Sequence, residues 1–261
     1  LGTPLFERNT RNLRITDEGR TVAARARSVL SILDEIQQVG QGDDDTLRGV
    51  IRLTAPAPFG RKHVAPAIAE FSRQHPQVGF DLRLTDRMVD LYDDGFDLAI
   101  RLDEPTDSRL VSTPLALNRR MLVASPGYLA AHGTPHRPED LSRHHALLPA
   151  GPDGTQNTWT MRQGRRERTV EINGALGSDS GEILHAWCLA GLGISLRETW
   201  DIHDALRSGR LVPVLPDWTV PVTHISAVRA RRDPVPRRLD TFIEFLARRW
   251  RDAPWNTDAA H

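Results

Sequence analysis

From Leu47 onward the chain alternates short apolar runs with longer stretches whose apolar positions recur at helical spacing. The runs at 49–55 (GVIRLTA), 78–84, 98–102, 120–124, 171–173 and 223–230 predict strands. Between and after them, 59–75, 180–190 and 235–250 predict helices, the last of them amphipathic, and Pro66 predicts a kink or a restart inside the first. Strands alternating with helices argue for a mostly parallel sheet with helices on both faces. The length of chain after residue 47 suits two such α/β subdomains better than one.

The preceding stretch has another pattern. Residues 5–8 and 13–16 are strand-like runs flanking Asn9-Thr10-Arg11-Asn12, whose asparagines suit a turn. This ribbon carries Arg8, Arg11 and Arg14 with one acid, Glu7, among them. It fits a wing on DNA phosphates or in a minor groove, and it equally fits an exposed hairpin with solvated arginines. Thr16 is a suitable N-cap, and Asp17 and Glu18 place negative charge in the first turn of a helix that meets no breaker before Gly40. Val22, Ala26, Val29, Leu33 and Ile36 recur at alternating steps of four and three. That narrow apolar seam pairs with a second helix or packs on its own domain. The polar hinge from Gln41 to Thr46 detaches it from the alternating region that begins at Leu47.

Charge and cysteine content narrow the setting. Lysine and arginine together number 34, as do aspartate and glutamate, so any nucleic-acid contact must come from a local basic patch such as the ribbon. No apolar run is long enough to span a membrane. One cysteine, Cys188, excludes an intrachain disulfide framework, and a reducing cytoplasm is the expected location.

The order of L-G-x-x-L-F-x-R at the start, the Ile15-Thr16-x-x-Gly19 step into a long helix, F-G-R-K-H-V-A-P-A-I-A-E-F at 59–71, G-F-D-L-A-I-R at 95–101, S-P-G-Y-L at 125–129 and A-G-L-G-I-S at 190–195 resembles the LysR-type transcriptional regulators. The resemblance runs from Leu1 to about Trp250. It implies an α/β fold of two Rossmann-like subdomains resembling periplasmic binding proteins, preceded by the remnant of a winged helix-turn-helix and a long linker helix. In that scheme 1–16 is the wing remnant, 17–40 the dimerising linker helix and 41–47 a hinge. Effector subdomain I comprises 48–119 and 223–250, effector subdomain II comprises 120–222, and 251–261 is a C-terminal tail. The family's recognition helix is expected upstream of Leu1. Since wing arginines mostly meet phosphates, this chain is expected to hold an auxiliary DNA contact without the helix that reads sequence.

The resemblance also implies partners: DNA in the full-length protein, a small-molecule effector, a homodimer or homotetramer, and RNA polymerase as a further contact. Neither a cofactor nor a metal is implied. The two self-contacts would be the linker seam and an isologous packing of the helix at 60–75 on the helix at 180–190 of a second copy.

Effectors in this fold sit at the carboxyl ends of strands, near helix N-termini. The residues expected to face an effector cleft are Pro56, Ala57, Phe59, Asp86, Arg101, Asp103 and Ser178, with Ala150 and Gly151 lining the second subdomain. Many relatives carry a hydroxyl in the segment where this chain has Ala55-Pro56-Ala57-Pro58-Phe59. That departure weakens any transfer of their carboxylate anchor. Arg101 suits a bidentate grip on a carboxylate, or a structural ion pair with Asp97 or Asp103. Asp179 followed by Glu182 reads as a capping box, against a ligand role for the Ser178 or Ser180 hydroxyl. A small carboxylate or aromatic acid is the expected effector.

Catalysis lacks a constellation. Gly177-Ser178-Asp179-Ser180-Gly181 has Asp where a nucleophile elbow needs Ser, and Gly191-Leu192-Gly193 comes after a helix where a dinucleotide loop would precede one. Gly133 and Pro135 break the helix that a His132–His136 metal pair would need, and consecutive His144 and His145 diverge if extended. Cys188 reads as a buried, inert thiol. A solute-binding protein of the periplasmic type, without DNA function, is the alternative class. It does not account for the basic ribbon or the long seam.

Overall fold

The structure, a computed structural model, describes residues 2–9, 12–23, 25–26, 29, 46–85, 89–92, 94–103, 107–151, 154–155, 157–231 and 234–256. Arg11, Leu33, Ile36, Asp86 and the hinge at 41–45 therefore lie outside the described residues.

Strands β1 (Phe6–Asn9) and β2 (Asn12–Ile15) form the expected antiparallel ribbon, with Glu7 opposite Arg14 and Arg8 opposite Leu13. Helix α1, described over 17–23, starts where its cap predicts: the Gly19 N–H donates to Thr16 Oγ1 at 2.9 Å, and that hydroxyl donates to Pro4 O at 2.9 Å. A Cβ on Gly19 would stand 2.1 Å from Leu5 O, so the Ile15-Thr16-x-x-Gly19 step lets the ribbon close directly on the helix. Of the seam, Val22 is half-buried while Ala26 and Val29 are exposed.

The chain divides into two compact units, Leu1–Leu115 with Ile225–Trp250, and Ala116–His224 with Arg251–His261. Strands β6 (Leu110–Asn118) and β15 (Thr223–Ala230) carry the chain across the division.

In the first unit β3 (Gly49–Ala55), β4 (Val78–Leu84) and β5 (Leu98–Arg101) join β6 and β15 in a five-stranded sheet ordered β4-β3-β5-β15-β6. β4 and β5 flank β3 in parallel, but β15 runs antiparallel to β5, so the expectation of a mostly parallel sheet is corrected to a mixed one. β15 arrives from the other unit without a crossover helix, which removes the constraint that makes neighbours parallel. Helix α2 (Ala57–Phe59), a π-helical stretch (Gly60–Val64) and α3 (Ala65–Gln74) form one continuous helical run. Pro66 neither breaks nor restarts it. The Ala65 N–H bonds Gly60 O, five residues back, and this widened turn accommodates the proline, which sits in the first turn of α3 where a missing N–H is tolerated. The core is aromatic: Phe71 meets Phe80, Phe242 and Phe245 edge-on, the latter two from the closing helix α7 (Arg237–Arg251), and Glu70 pairs with Arg249 on the rim.

The second unit is built on the order β12-β8-β13-β7-β14, from β7 (Arg120–Ala124), β8 (His145–Gly151), β12 (Asn173–Ser178), β13 (Ile194–Glu198) and β14 (Val212–Pro213), with β9 (Gly154–Thr155) added to β8. It too is mixed, β12, β8 and β13 being parallel and β7 antiparallel to β13. The single strand expected at 171–173 is instead a junction. β10 (Thr158–Gln163) and β11 (Arg166–Glu171) form a hairpin, Ile172 donates its N–H to Asn157 O, and β12 begins at Asn173. Trp159, Met161 and Ile172 bury the hairpin against Leu141, Leu148 and Tyr128 of α4 (Pro126–His132). Helices α5 (Gly181–Leu189) and α6 (Thr199–Arg207) cover the other face through Leu184, Cys188, Ile202 and Ala205. Beyond α7 the chain packs on this unit, since Trp255 is buried and its carbonyl accepts from Thr199 Oγ1.

Candidate functional site

At the carboxyl ends of β3 and β5 the first unit holds a cavity of about 200 Å³. Pro56, Val89, Ile100 and Leu102 give it aliphatic walls, and Arg101 and Asp103 are its charged residues among those described. Strand register explains the gathering. β3 and β5 are parallel with Thr54 opposite Ala99, so Thr54, Ala99 and Arg101 project from one face of the sheet.

Arg101 is gripped by its own neighbour. Its Nε donates to Asp103 Oδ1 at 3.1 Å and its Nη2 to Oδ2 at 3.3 Å, with the Arg101 side chain 20% exposed and that of Asp103 60%. Asp97, the other partner considered for Arg101, accepts from the Arg52 N–H. Thr54, which sequence reasoning passed over, is 3% exposed and lines the same cavity, and its Oγ1 has no hydrogen-bond partner among the described residues. The available signal was a hydroxyl within an otherwise apolar strand end, Leu53-Thr54-Ala55.

Of the residues expected to face an effector, Pro56, Arg101 and Asp103 line this cavity. Phe59 does not. It is fully buried, its ring 5.1 Å from that of Trp250, because the helical turn after Pro56 swings position 59 into the core. Ala57 is half-buried outside the cavity wall. In the second unit Ala150, Gly151 and Ser178 come together at the carboxyl ends of parallel β8 and β12, where Ser178 lies opposite Pro149 and Ala150 pairs with Thr155.

The capping-box reading at α5 is corrected. Ser180, not Asp179, is the N-cap residue and its side chain makes no capping hydrogen bond, while the Ser178 hydroxyl accepts from the Ser180 N–H at 3.1 Å in a local turn. At its other end α5 stops at Gly191, with φ of +80°: Leu192 donates to Trp187 O and Gly191 to Cys188 O, a Schellman closure. The glycine-rich stretch is thus a helix exit.

Another polar cluster lies in the second unit. Tyr128 Oη accepts from the His145 N–H at 2.9 Å and meets His144 Nδ1 at 3.2 Å, while His132 stacks on the Tyr128 ring. Tyr128, His132 and Arg210 border a second cavity, of about 710 Å³. Cys188 is fully buried, and burial pushes its thiol up to about 12. No cluster of three or more histidine, cysteine or acidic side chains arranged to hold a metal occurs among the described residues, and no described helix is long and apolar enough to cross a membrane.

Residues 44–251 match the LysR substrate binding domain family. The chain is 35% identical over 250 residues to the HTH-type transcriptional regulator DmlR of Escherichia coli K12, covering 94% of this chain and 80% of that protein. It is 35% identical over 253 residues to the HTH-type transcriptional activator TtdR of the same strain, covering 95% and 79%. The structure of CrgA, a LysR-type transcriptional regulator from Neisseria meningitidis, superposes with a TM-score of 0.70 at 30% identity, covering 95% of this chain and 84% of that one.

Proposed function

The chain belongs to the LysR-type transcriptional regulators, and from that premise we propose that its effector is a small carboxylate or aromatic acid held at the cavity formed by Pro56, Arg101 and Asp103. The observation that carries this reading is the partly shielded Arg101 guanidinium at the carboxyl end of a strand, beside an aliphatic wall. Within the second subdomain, Ala150, Gly151 and Ser178, at the carboxyl ends of β8 and β12, are proposed as effector contacts. Effector binding selects one arrangement of the subdomains and so changes how subunits pack, which alters the spacing of the DNA-binding heads.

DNA contact is assigned to the ribbon arginines Arg8, Arg11 and Arg14, which meet phosphates; self-association uses the linker seam, with a tetramer available through a second isologous contact. The proposed setting is the cytoplasm, with RNA polymerase as a further partner. The family assignment displaces the solute-binding alternative.

Calorimetry with small carboxylates and aromatic acids on the wild-type chain and on Arg101→Ala tests the site. Loss of the charge-assisted pair is expected to cost about 1.5–3 kcal/mol, roughly ten- to a hundredfold in affinity. An unchanged affinity with a lower melting temperature makes Arg101 a structural residue. The phosphate contacts of Arg8, Arg11 and Arg14 are expected to add duplex affinity without sequence preference and with steep salt dependence; unchanged affinity and salt slope in Arg8→Ala and Arg14→Ala contradicts the assignment.

A further inference from the structure

The Arg101–Asp103 pair restricts what the cavity accepts. Both guanidinium-to-carboxylate bonds are already made, so the charges lining the site among the described residues sum to zero. A simple monoanion that takes over those two donors breaks the pair and leaves a net charge at a partly desolvated position, whereas a molecule with one charge of each sign can insert between the partners and leave each opposite its complement. Size acts in the same direction. A cavity of about 200 Å³ lies below the range of about 300–1,000 Å³ that holds drug-sized ligands.

Thr54 supplies a third point. A buried hydroxyl without a partner is costly, and a ligand oxygen that accepts its hydrogen bond removes the cost on binding. Thr54 and Arg101 project from the same sheet face on neighbouring strands, two residues apart in register, which puts their backbones about 8 Å apart, within reach of the long arginine side chain.

We propose that this cavity takes a small zwitterion of the α-amino-acid type: its carboxylate bridges Arg101 and the Thr54 hydroxyl, its ammonium group meets Asp103, and a short aliphatic side chain lies against Pro56, Val89 and Ile100. The proposal rests on the effector-site reading above and narrows its ligand class.

The test is calorimetry and thermal melting of the full chain with L-alanine, L-valine and L-leucine, each beside the acid that lacks its amino group: propionate, isovalerate and isocaproate. At least one amino acid is expected to bind about tenfold or more tighter than its amino-free counterpart, the ratio expected for one added charge-assisted contact. Asp103→Asn should erase that preference. Thr54→Val should weaken amino-acid binding about tenfold while the melting temperature holds or rises, because the substitution removes an unpaired buried hydroxyl without changing volume. If the amino-free acids bind equally well and Asp103→Asn changes nothing, the zwitterion inference fails while the carboxylate site stands. If none of the six binds, the zwitterion inference fails, and the effector-site reading is decided separately by the panel of small carboxylates and aromatic acids on wild type and Arg101→Ala. A raised melting temperature with unchanged affinity in Thr54→Val removes Thr54 from the ligand set.

Discussion

Arg197 Nη2 donates to Asp201 Oδ2 across 2.6 Å, one turn apart at the junction of β13 and α6, with both residues buried. His185 Nδ1 meets the same carboxylate oxygen at 2.9 Å, so α5 and α6 are tied through one acid. Burial alone would push the Asp201 carboxyl up. The His185 hydrogen bond and the Arg197 and His185 charges together outweigh it and leave the group below its ordinary value of 3.8.

A carboxyl depressed in the folded state contributes stability that is complete above its unfolded value and is lost as pH falls through the folded one. Melting of the wild type should therefore decline in acid below the ordinary carboxylate range, and Asp201→Asn should flatten that part of the profile. The substitution leaves the buried Arg197 with only its longer pair to Glu198, at 3.7 Å, at an expected cost of about 3 kcal/mol in chemical denaturation. A loss below about 1 kcal/mol, the worth of an exposed pair, contradicts the role assigned to this buried network.

His144 acts in a higher pH window. Burial lowers its pKa from 6.5, the charges of His132 and His145 lower it further, and Asp140 opposes them. Since the unfolded chain then binds the proton more readily, stability is complete above 6.5 and falls as pH drops from there toward the lower folded value. The geometry is compatible: Tyr128 Oη accepts from the His145 N–H and lies 3.2 Å from His144 Nδ1, to which it can donate when that nitrogen carries no proton. His144→Gln should flatten the melting profile in the imidazole range while leaving the lower, Asp201-dependent step intact.

Gly193 occupies a position with no room for a side chain. A Cβ there would stand 2.5 Å from the His145 carbonyl oxygen, in the backbone of the parallel strand β8. Gly193→Ala should destabilise the protein by about 1–3 kcal/mol, read by urea unfolding, because backbone must move to admit one methyl. A neutral result would show that the two strands separate freely at this point.

Val29 is 56% exposed, and the seam it shares with Val22 and Ala26 continues in sequence to Leu33 and Ile36. If paired linker helices cover it, sedimentation of the chain at micromolar concentration should give a dimer or larger species, and Leu33→Asp should shift the distribution toward monomer. A wild-type monomer, unaltered by the substitution, removes the linker from the self-contact.

Local patterning was enough for the elements with strong periodic or capping signals. The apolar runs at 49–55, 78–84 and 120–124 coincide with β3, β4 and β7, and Thr16 caps α1 through Gly19, since each depends on residues within one strand or one turn. The motif order carried the family. Where an outcome depended on distant chain, the sequence alone did not decide it. The β10–β11 hairpin had a visible cue in Gly164, whose φ of +57° serves a two-residue loop, but Trp159 and Met161 declare themselves as core only once Tyr128 and Leu148 are packed beside them. Phe59 looked like a cleft wall from its place after Pro56, and the helical turn put it on Trp250 instead. Arg101 was legible as a carboxylate-binding candidate. That Asp97 is taken up by the Arg52 N–H of β3, leaving Asp103 to hold Arg101, and that the buried Thr54 hydroxyl lies on the same face without a partner among the described residues, depend on how β3 meets β5. Sequence spacing determines which neighbours a residue can have along its own element, whereas strand register determines which side chains meet across a sheet.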